Sequence, residues 1–300
     1  MNSEVYEKYI QAGKIASEAR EYGASLIKPG VRLLEVANKV ESKITDKGAG
    51  IAFPVNISIN EIAAHYTSNV NDDKTFQKGD VVKIDVGAHV DGYIADTAKT
   101  VEVQTKDHSD MIEAVEEGLN IAIDMIRPDI DLSKLGKKVQ DKIHSYGFKP
   151  VDNLTGHSLE QYVLHAGTSI PSVADALNIS KIKKDDVVAI EPFATNGAGH
   201  VIQGNGSNIY LCDPSLRAKF VRDNKIKTMY NKLYKEFKSL PFAQRWADKI
   251  IPKSEINLRK ISFHGFLKHY PQLIDAKKGI VTQREHTVII TDDGCEVTTC

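Results

Sequence analysis

The sequence contains little cysteine and little net charge, and it lacks any long apolar run. Its three cysteines, Cys212, Cys295 and Cys300, are too few and too widely spaced for a disulfide framework or a zinc site. The net charge of −1 excludes a general electrostatic attraction to nucleic acid or to anionic membranes. No apolar segment reaches the length of a membrane span, and the polar first residues do not resemble a signal peptide. These absences predict a soluble, cytoplasmic protein.

The chain does contain an internal repeat. Residues 78–85 (KGDVVKID) and 184–191 (KDDVVAIE) are both β-branched runs that end in a carboxylate, Asp85 in the first and Glu191 in the second. A carboxylate at the end of a buried strand is costly unless a cation compensates it. Two such acids at matching places predict one shared site across a pseudo-two-fold axis, and a metal would explain why both residues are acids.

The repeat extends upstream of these strands. Apolar residues at positions 33, 36, 40 and 44 have the spacing of an amphipathic helix, and the same pattern returns 99 positions later. His65 matches His165 at an offset of 100, and Asp85 matches Glu191 at 106, so the offset grows through loop insertions. Chance similarity is the alternative for the helices alone, but helix, histidine and acid-ended strand recur in one order. We therefore predict an α+β fold with two related halves.

The pattern of apolar residues and turn signals also predicts the order of elements. We expect helices at 3–26, 31–46, 109–126 and 131–146, and strands at 53–60, 80–87, 93–102, 151–157, 161–165, 187–193, 198–211, 279–291 and 295–299. Residues 214–268 are lysine-rich and helical in pattern. We therefore expect a catalytic domain of residues 1–213 and 269–300, interrupted by a helical, winged-helix-like subdomain at 214–268.

Asp91-Gly92 is a strong hairpin signal between two of the expected strands. If these two residues form the loop, Gly87 pairs with Asp96, and Asp85 lies on the same face as Asp96. Diagonal neighbours across two strands lie roughly 7–8 Å apart, so both carboxylates reach one point. Bare like charges would repel, and a dication between them removes the repulsion. A solvated hairpin face with two unrelated acids remains the alternative.

Three further residues complete the set of candidate metal ligands. His157 follows a glycine that permits close backbone packing, Glu191 precedes a proline that ends strand pairing, and Glu285 precedes an apolar strand. Each of them alone could have a structural role. Together with Asp85 and Asp96 they give four carboxylates and one imidazole, a donor set that suits two divalent first-row metals. Two such ions, roughly 3.5–4 Å apart, support hydrolysis of an amide or an ester.

These residues and their order resemble the methionine aminopeptidases, specifically the type 2 branch of archaea and eukaryotes, which has the pita-bread fold. The resemblance covers essentially the whole chain. The matching strings are residues 53–60 (FPVNISIN), 63–67 (AAHYT), 91–96 (DGYIAD), 156–158 (GHS), 165–167 (HAG), 191–195 (EPFAT) and 283–287 (QREHT). The long separation of Glu191 from Glu285 indicates type 2, because type 1 enzymes join these positions by a short connection.

The resemblance implies an activity, removal of the initiator methionine before a small second residue, and a role for each site residue. The implied metal ligands are Asp85, Asp96, His157, Glu191 and Glu285; the implied catalytic and substrate-binding imidazoles are His65 and His165; and the implied methionine-pocket residues are Phe53, Leu164, Phe193 and Tyr270. It implies two divalent ions per chain, drawn from Co, Mn, Fe, Ni and Zn. We expect a monomer that acts on peptides and nascent chains with N-terminal methionine.

Two other functions and one further partner stay open at this point. An X-Pro aminopeptidase or prolidase shares the fold and ligands, although such enzymes usually carry an added N-terminal domain. A non-catalytic homologue that binds RNA or ribosomes would be expected to lack some ligands. Bases concentrate in the expected insertion, which is either a solvated helical face or a surface that docks on ribosomal RNA. These bases are Arg217, Lys219, Arg222, Lys225, Lys227, Lys232, Lys235 and Lys238.

Overall fold

The computed structural model describes residues 1–213 and 223–300 as an α+β arrangement of helices and short strands. The helices are α1 (Ser3–Leu26), α2 (Leu33–Asp46), α3 (Ser109–Met125), α4 (Leu132–Ser145), α5 (Asn224–Phe237), α6 (Gln244–Ala247) and α7 (Ser254–Phe263). The strands are β1 (Gly50–Ile59), β2 (Ile62–Ala64), β3 (Val81–Val90), β4 (Tyr93–Glu102), β5 (Lys149–Pro150), β6 (Thr155–Ser158), β7 (Ser169–Pro171), β8 (Val187–Ile190), β9 (Phe193–Thr195), β10 (Val201–Cys212), β11 (Phe242–Ala243), β12 (Leu267–Asp275), β13 (Val281–Gln283), β14 (His286–Ile290) and β15 (Cys295–Val297).

Helix-covered sheets form the two halves of the core. In the first half, α1 and α2 pack on the antiparallel sheet β1-β3-β4 around a cluster that includes Ile15, Val36 and Ile84. In the second half, α3 and α4 pack beside the sheet β15-β14-β8-β6-β7 and the smaller sheet β13-β9-β5. The predicted α+β class is therefore confirmed, with a pair of helices packed on β-sheet in each half.

The helices α2 and α4 show the repeat most directly. Both have 14 residues, and α4 starts 99 positions after α2. Leu33, Val36, Val40 and Ile44 of α2 are buried, and so are the matching residues of α4. Apolar residues at this spacing form one stripe along a helix, which each half buries against its own sheet. The duplicated amphipathic helix is confirmed.

The hairpin of β3 and β4 has the register that the sequence predicts. Val90 pairs with Tyr93, and Gly87 pairs with Asp96. The two loop residues, Asp91 and Gly92, both have positive φ (51° and 88°), as a type I′ turn requires. This turn matches the twist of the strands it joins and fixes which carboxylates share a face.

Three predictions of strand position are wrong. Asp85 lies in the middle of β3 and not at its end, because pairing continues to His89 with β1 and to Val90 with β4. The strand expected at 151–157 is shorter, since β6 begins at Thr155. The stretch 161–165 forms turns with an isolated bridge between Glu160 and Val163; Leu164 is buried from this loop, whereas Val163 is exposed.

The helices between β10 and β12 pack around a hydrophobic cluster of their own. Leu233, Phe242 and Leu258 lie in it, together with Tyr210 from β10. β10 pairs with both β11 and β12, and β12 continues to a pair with β2 in the first half of the chain. Of the predicted basic residues, Arg217, Lys219 and Arg222 lie outside the described residues. Throughout the described ranges, the helices are too short or too polar to cross a bilayer.

Candidate metal centre and substrate pocket

The five predicted ligands line one cavity between the two halves. Asp85 comes from β3, Asp96 from β4 and His157 from β6, while Glu191 follows β8 and Glu285 lies between β13 and β14. Asp96, His157 and Glu285 are buried, and the other two are half-buried. Strands from both halves therefore deliver carboxylates to the same place, as the repeat predicts.

The ligand atoms lie close enough to share a cation. His157 Nε2 is 3.7 Å from Asp96 Oδ2 and 3.6 Å from Glu191 Oε1, distances that are too long for hydrogen bonds. One donor atom from each of Asp96, His157 and Glu285 lies within 4.8 Å of the others. Gln283 Nε2 donates to Glu191 Oε2 at 3.3 Å and orients that carboxylate. Metal-ligating side chains are commonly oriented by such a second contact.

Several of these oxygens have no hydrogen-bond partner among the described residues. They are Asp85 Oδ1, Asp96 Oδ1 and both carboxylate oxygens of Glu285. A buried acceptor without a partner costs about 1–3 kcal/mol, and more when it is charged. Four carboxylates beside one imidazole, three of them with unsatisfied oxygens, fit a divalent cation, which would satisfy those oxygens and cancel the repulsion between the acids.

Burial also shifts the pKa values of the five candidate ligands. Burial raises the pKa of Asp85 to about 7. Burial, and then the neighbouring carboxylates, raise the pKa values of Asp96, Glu191 and Glu285 well above their usual range. Burial lowers the pKa of His157 to about 3, which keeps the ring neutral and able to ligate.

Residues outside the predicted set hold the strands of the site together. Thr287 Oγ1 exchanges hydrogen bonds with Asp96, accepting from its N–H and donating to its carbonyl, each at 2.8 Å. Thr97 Oγ1 donates to the Glu285 carbonyl at 2.9 Å, and Arg20 donates to Thr97 Oγ1. No motif in the sequence marks Thr97, Thr287 or Arg20, because their role depends on pairing between distant strands.

Two imidazoles lie beside the ligands. His65 Nδ1 is 3.3 Å from the Pro271 carbonyl oxygen, and the ring meets Tyr270 edge to face with centroids 5.1 Å apart. Burial, with a smaller contribution from His165, lowers the pKa of His65 to about 4. The centroid of the His165 ring lies 4.4 Å from that of the His157 ring, and desolvation by the surrounding groups lowers the pKa of His165 although the residue is exposed.

The rest of the cavity wall is mostly apolar. Phe53, Leu164 and Tyr270 line it, and their role in a methionine pocket stays a prediction. Asn56, Ala64, Ile209 and Pro241 also line it, and only Asn56 and Ala64 belong to a motif singled out in the sequence. Within the described part of the chain, Phe193 does not line the cavity.

The Phe193 side chain lies behind the wall. It is 1% exposed and packs with Ala63, Val151 and Val201. Its assignment to the methionine pocket therefore stays a prediction.

Comparisons with known proteins agree with this geometry. The model of metallopeptidase family M24 matches residues 7–292. A methionine aminopeptidase of Methanocaldococcus jannaschii is 46% identical over 299 residues, covering 100% of both chains. Among solved structures, a thermophilic Arx1 superimposes with a TM-score of 0.85 at 16% identity, covering 99% of this chain and 91% of that one. A methionine aminopeptidase from Rickettsia prowazekii superimposes with a TM-score of 0.72 at 20% identity, covering 100% and 98%.

The two structural matches establish the fold alone, because sequence identities this low carry no information about function. The family match and the archaeal relative both cover nearly the whole chain, so they apply to both halves and to the cavity between them. With its carboxylates and imidazoles gathered at the place where the halves meet, the chain belongs to metallopeptidase family M24 and has the expected pita-bread fold.

Proposed function

We propose that this chain is a methionine aminopeptidase that hydrolyses the bond after an N-terminal methionine, with preference for a small second residue. The observation that carries the proposal is the convergence of four carboxylates and one imidazole on one cavity, where three of the carboxylates have oxygens without a hydrogen-bond partner. The cavity continues into an apolar wall that suits an unbranched side chain. The archaeal relative carries the same activity in its name.

Asp85, Asp96, His157, Glu191 and Glu285 would hold two divalent ions. Bound there, such ions would supply Lewis acidity, which would lower the pKa of an attacking water, polarise the scissile carbonyl and bind the substrate amine. Gln283 would keep the Glu191 carboxylate in place through its hydrogen bond. The chain's own contribution is to exclude water and to fix each donor on a strand, so that little reorganisation is needed.

His65 would aid proton transfer to the leaving amine. Its Nδ1 faces the Pro271 carbonyl, which assigns the proton of the neutral ring to Nδ1 and leaves Nε2 as an acceptor. Its lowered pKa keeps this form dominant near neutral pH. His165, which also lines the cavity, would hydrogen-bond the substrate carbonyl and stabilise the charge that develops there.

Methionine selectivity would come from Phe53, Leu164 and Tyr270. An aromatic and aliphatic slot favours a flexible thioether over a polar or β-branched side chain. Phe193 would act from behind this wall by supporting its packing.

We also propose the domain division 1–213 with 269–300, and 214–268 as an insertion subdomain. The separate hydrophobic cluster of α5, α6 and α7 supports it. An enzyme that acts on initiator methionine would act in the cytoplasm, where nascent chains are made. We expect it to be a monomer. Contact of the basic insertion with ribosomal RNA stays a prediction. Cosedimentation with ribosomes that weakens steeply with salt would support it.

Peptide cleavage tests the proposed function. Protein loaded with Mn²⁺ or Co²⁺ should release methionine from Met-Ala and Met-Gly peptides and leave X-Pro peptides intact. Glu191→Ala and His65→Ala should lose most of this activity, whereas Glu255→Ala, at an exposed acid of α7, should retain it. Cleavage of X-Pro peptides alone would favour a prolidase. Full activity in both site variants would contradict the assignment of the site.

A further inference from the structure

A buried ion pair joins α6 to the first half of the chain. Glu41 on α2 is 6% exposed, and Arg245 on α6 is 8% exposed. Arg245 Nη2 donates to Glu41 Oε1, and Trp246 Nε1 donates to Glu41 Oε2 at 3.1 Å. The N–H of Val55 in β1 also donates to Glu41 Oε1, at 3.2 Å. Loss of one member of a buried pair leaves the other charge uncompensated, so this contact is strongly fixed.

The second nitrogen of the same guanidinium reaches the segment that follows His65. Arg245 Nη1 donates to Thr67 Oγ1 and to the Ser68 carbonyl, each at 3.0 Å. Thr67 Oγ1 in turn donates to the Val55 carbonyl at 2.8 Å. The planar guanidinium thus binds Glu41 on one side and residues 67–68 on the other. A lysine ammonium could not make this forked contact.

The backbone at His65 needs such support. Its φ is 64°, in the left-handed region that a residue with a Cβ rarely adopts. A residue held there costs about 1–3 kcal/mol and stays only where its surroundings fix it. On one side, His65 contacts the Pro271 carbonyl and the Tyr270 ring, both in β12. On the other side, two positions along the chain, Thr67 is held by Arg245.

We propose that Arg245 and Glu41 are positioning residues for the reaction: they hold residues 65–68 so that the His65 ring faces the cavity. Arg245 does not line the cavity as the described residues form it, so it acts through His65 and not on the substrate. Because Arg245 lies on α6, between β10 and β12, the position of His65 would also depend on that segment. This inference rests on the proposed function, in which His65 handles the proton of the leaving amine.

Kinetics of matched variants test the inference first. Arg245→Met should lower kcat by roughly 10- to 100-fold, the loss expected when a reacting group is misplaced by about 1 Å, with a smaller change in KM. Arg245→Lys should be intermediate, because it keeps the charge and loses the fork. Arg259→Met, at an exposed pair with Glu255 on α7, is the control and should not change kcat. Equal kcat values for Arg245→Met and Arg259→Met would overturn the proposal.

A double variant separates positioning from general damage. If Arg245 acts through His65, Arg245→Met should cause little further loss in a His65→Ala background. If the arginine only stabilises the fold, the two losses should multiply, and the proposal fails. Thr67→Val provides a second route if Arg245→Met does not fold, because it removes one acceptor of the guanidinium at nearly constant volume. It should lower kcat in the same direction, and wild-type kcat in Thr67→Val would count against the proposal.

A measurement without turnover keeps this test independent of the proposed function. In protein labelled with ¹³C-histidine, the ring signal of His65 is identified by its loss in His65→Ala. That signal should move in Arg245→Met and stay in place in Arg259→Met. An unmoved signal in Arg245→Met would overturn the positioning role even if activity falls. If wild-type protein cleaves no methionine peptide, the proposed function fails while the NMR comparison still decides whether Arg245 positions His65.

Discussion

Gly156 lies directly against the backbone of Ala189 in the neighbouring strand. A Cβ at position 156 would be 2.3 Å from the Ala189 carbonyl oxygen and 3.1 Å from the Cα of Ile190. Backbone atoms cannot move aside as the end of a side chain can. The absence of a side chain at 156 therefore lets β6 approach β8 closely, and this approach brings His157 to Glu191.

Gly156→Ala should force β6 and β8 apart and weaken metal binding. We expect Mn²⁺ affinity to fall by about 10- to 100-fold, the size of effect seen when the support of a metal ligand is lost. Isothermal titration of metal-depleted protein measures it. Gly118→Ala in α3 is the control, because a Cβ there would meet Ile143 and Val139 at an ordinary 3.4 Å. Unchanged affinity in Gly156→Ala would show that the strand spacing does not set the site.

Removal of one carboxylate should stabilise the metal-depleted protein. Glu285 has two buried oxygens without partners and lies among three other acids. In EDTA, Glu285→Gln should therefore raise the free energy of unfolding by about 1–3 kcal/mol. With Mn²⁺ present the order should reverse, because the variant lacks a ligand. Urea unfolding under both conditions measures this, with Glu116→Gln, an exposed acid near Arg284, as the control. A variant that is less stable in both conditions would contradict the crowded-carboxylate interpretation.

The sequence predicts most of this site because local signals fix it. The Asp91-Gly92 turn sets the register of a whole hairpin, which decides that Asp85 and Asp96 share a face. The repeat identifies Glu191 as the partner of Asp85 before any contact is known. These features depend on short-range geometry and on a period in the sequence, and both can be read without the fold.

The sequence does not predict what long-range packing decides. Pro241 and Ile209 reach the cavity wall only because β10 and β11 pack over it. The contact of Glu41 with Arg245 joins residues 204 positions apart and has no sequence pattern. The stretch 161–165 has three apolar residues in a row, as a short strand can, yet it forms turns, and of the three only Leu164 is buried.

The pH dependence of stability should show the buried carboxyl of Asp85. Its folded pKa of about 7 lies above the ordinary value of 3.8, so the folded form binds the proton more tightly than the unfolded chain does. This contribution is present at acidic pH and is lost as pH rises through about 7. In EDTA, the Tm of Asp85→Asn minus that of wild type should therefore grow between about pH 4 and pH 7. A difference that is constant with pH would contradict the raised pKa.

The three cysteines should differ strongly in reactivity. Cys212 is buried and Cys295 is half-buried, and burial raises their thiol pKa values to about 12 and about 11. The thiolate is the reactive form, so both should be nearly inert near pH 8 in the folded protein, whereas Cys300 is exposed. Iodoacetamide followed by mass spectrometry should label Cys300 first, and Cys300→Ser should abolish the fast phase. Unfolding in urea should release the other two thiols at similar rates. Rapid labelling of Cys212 in the native protein would instead show that the core around β10 opens readily.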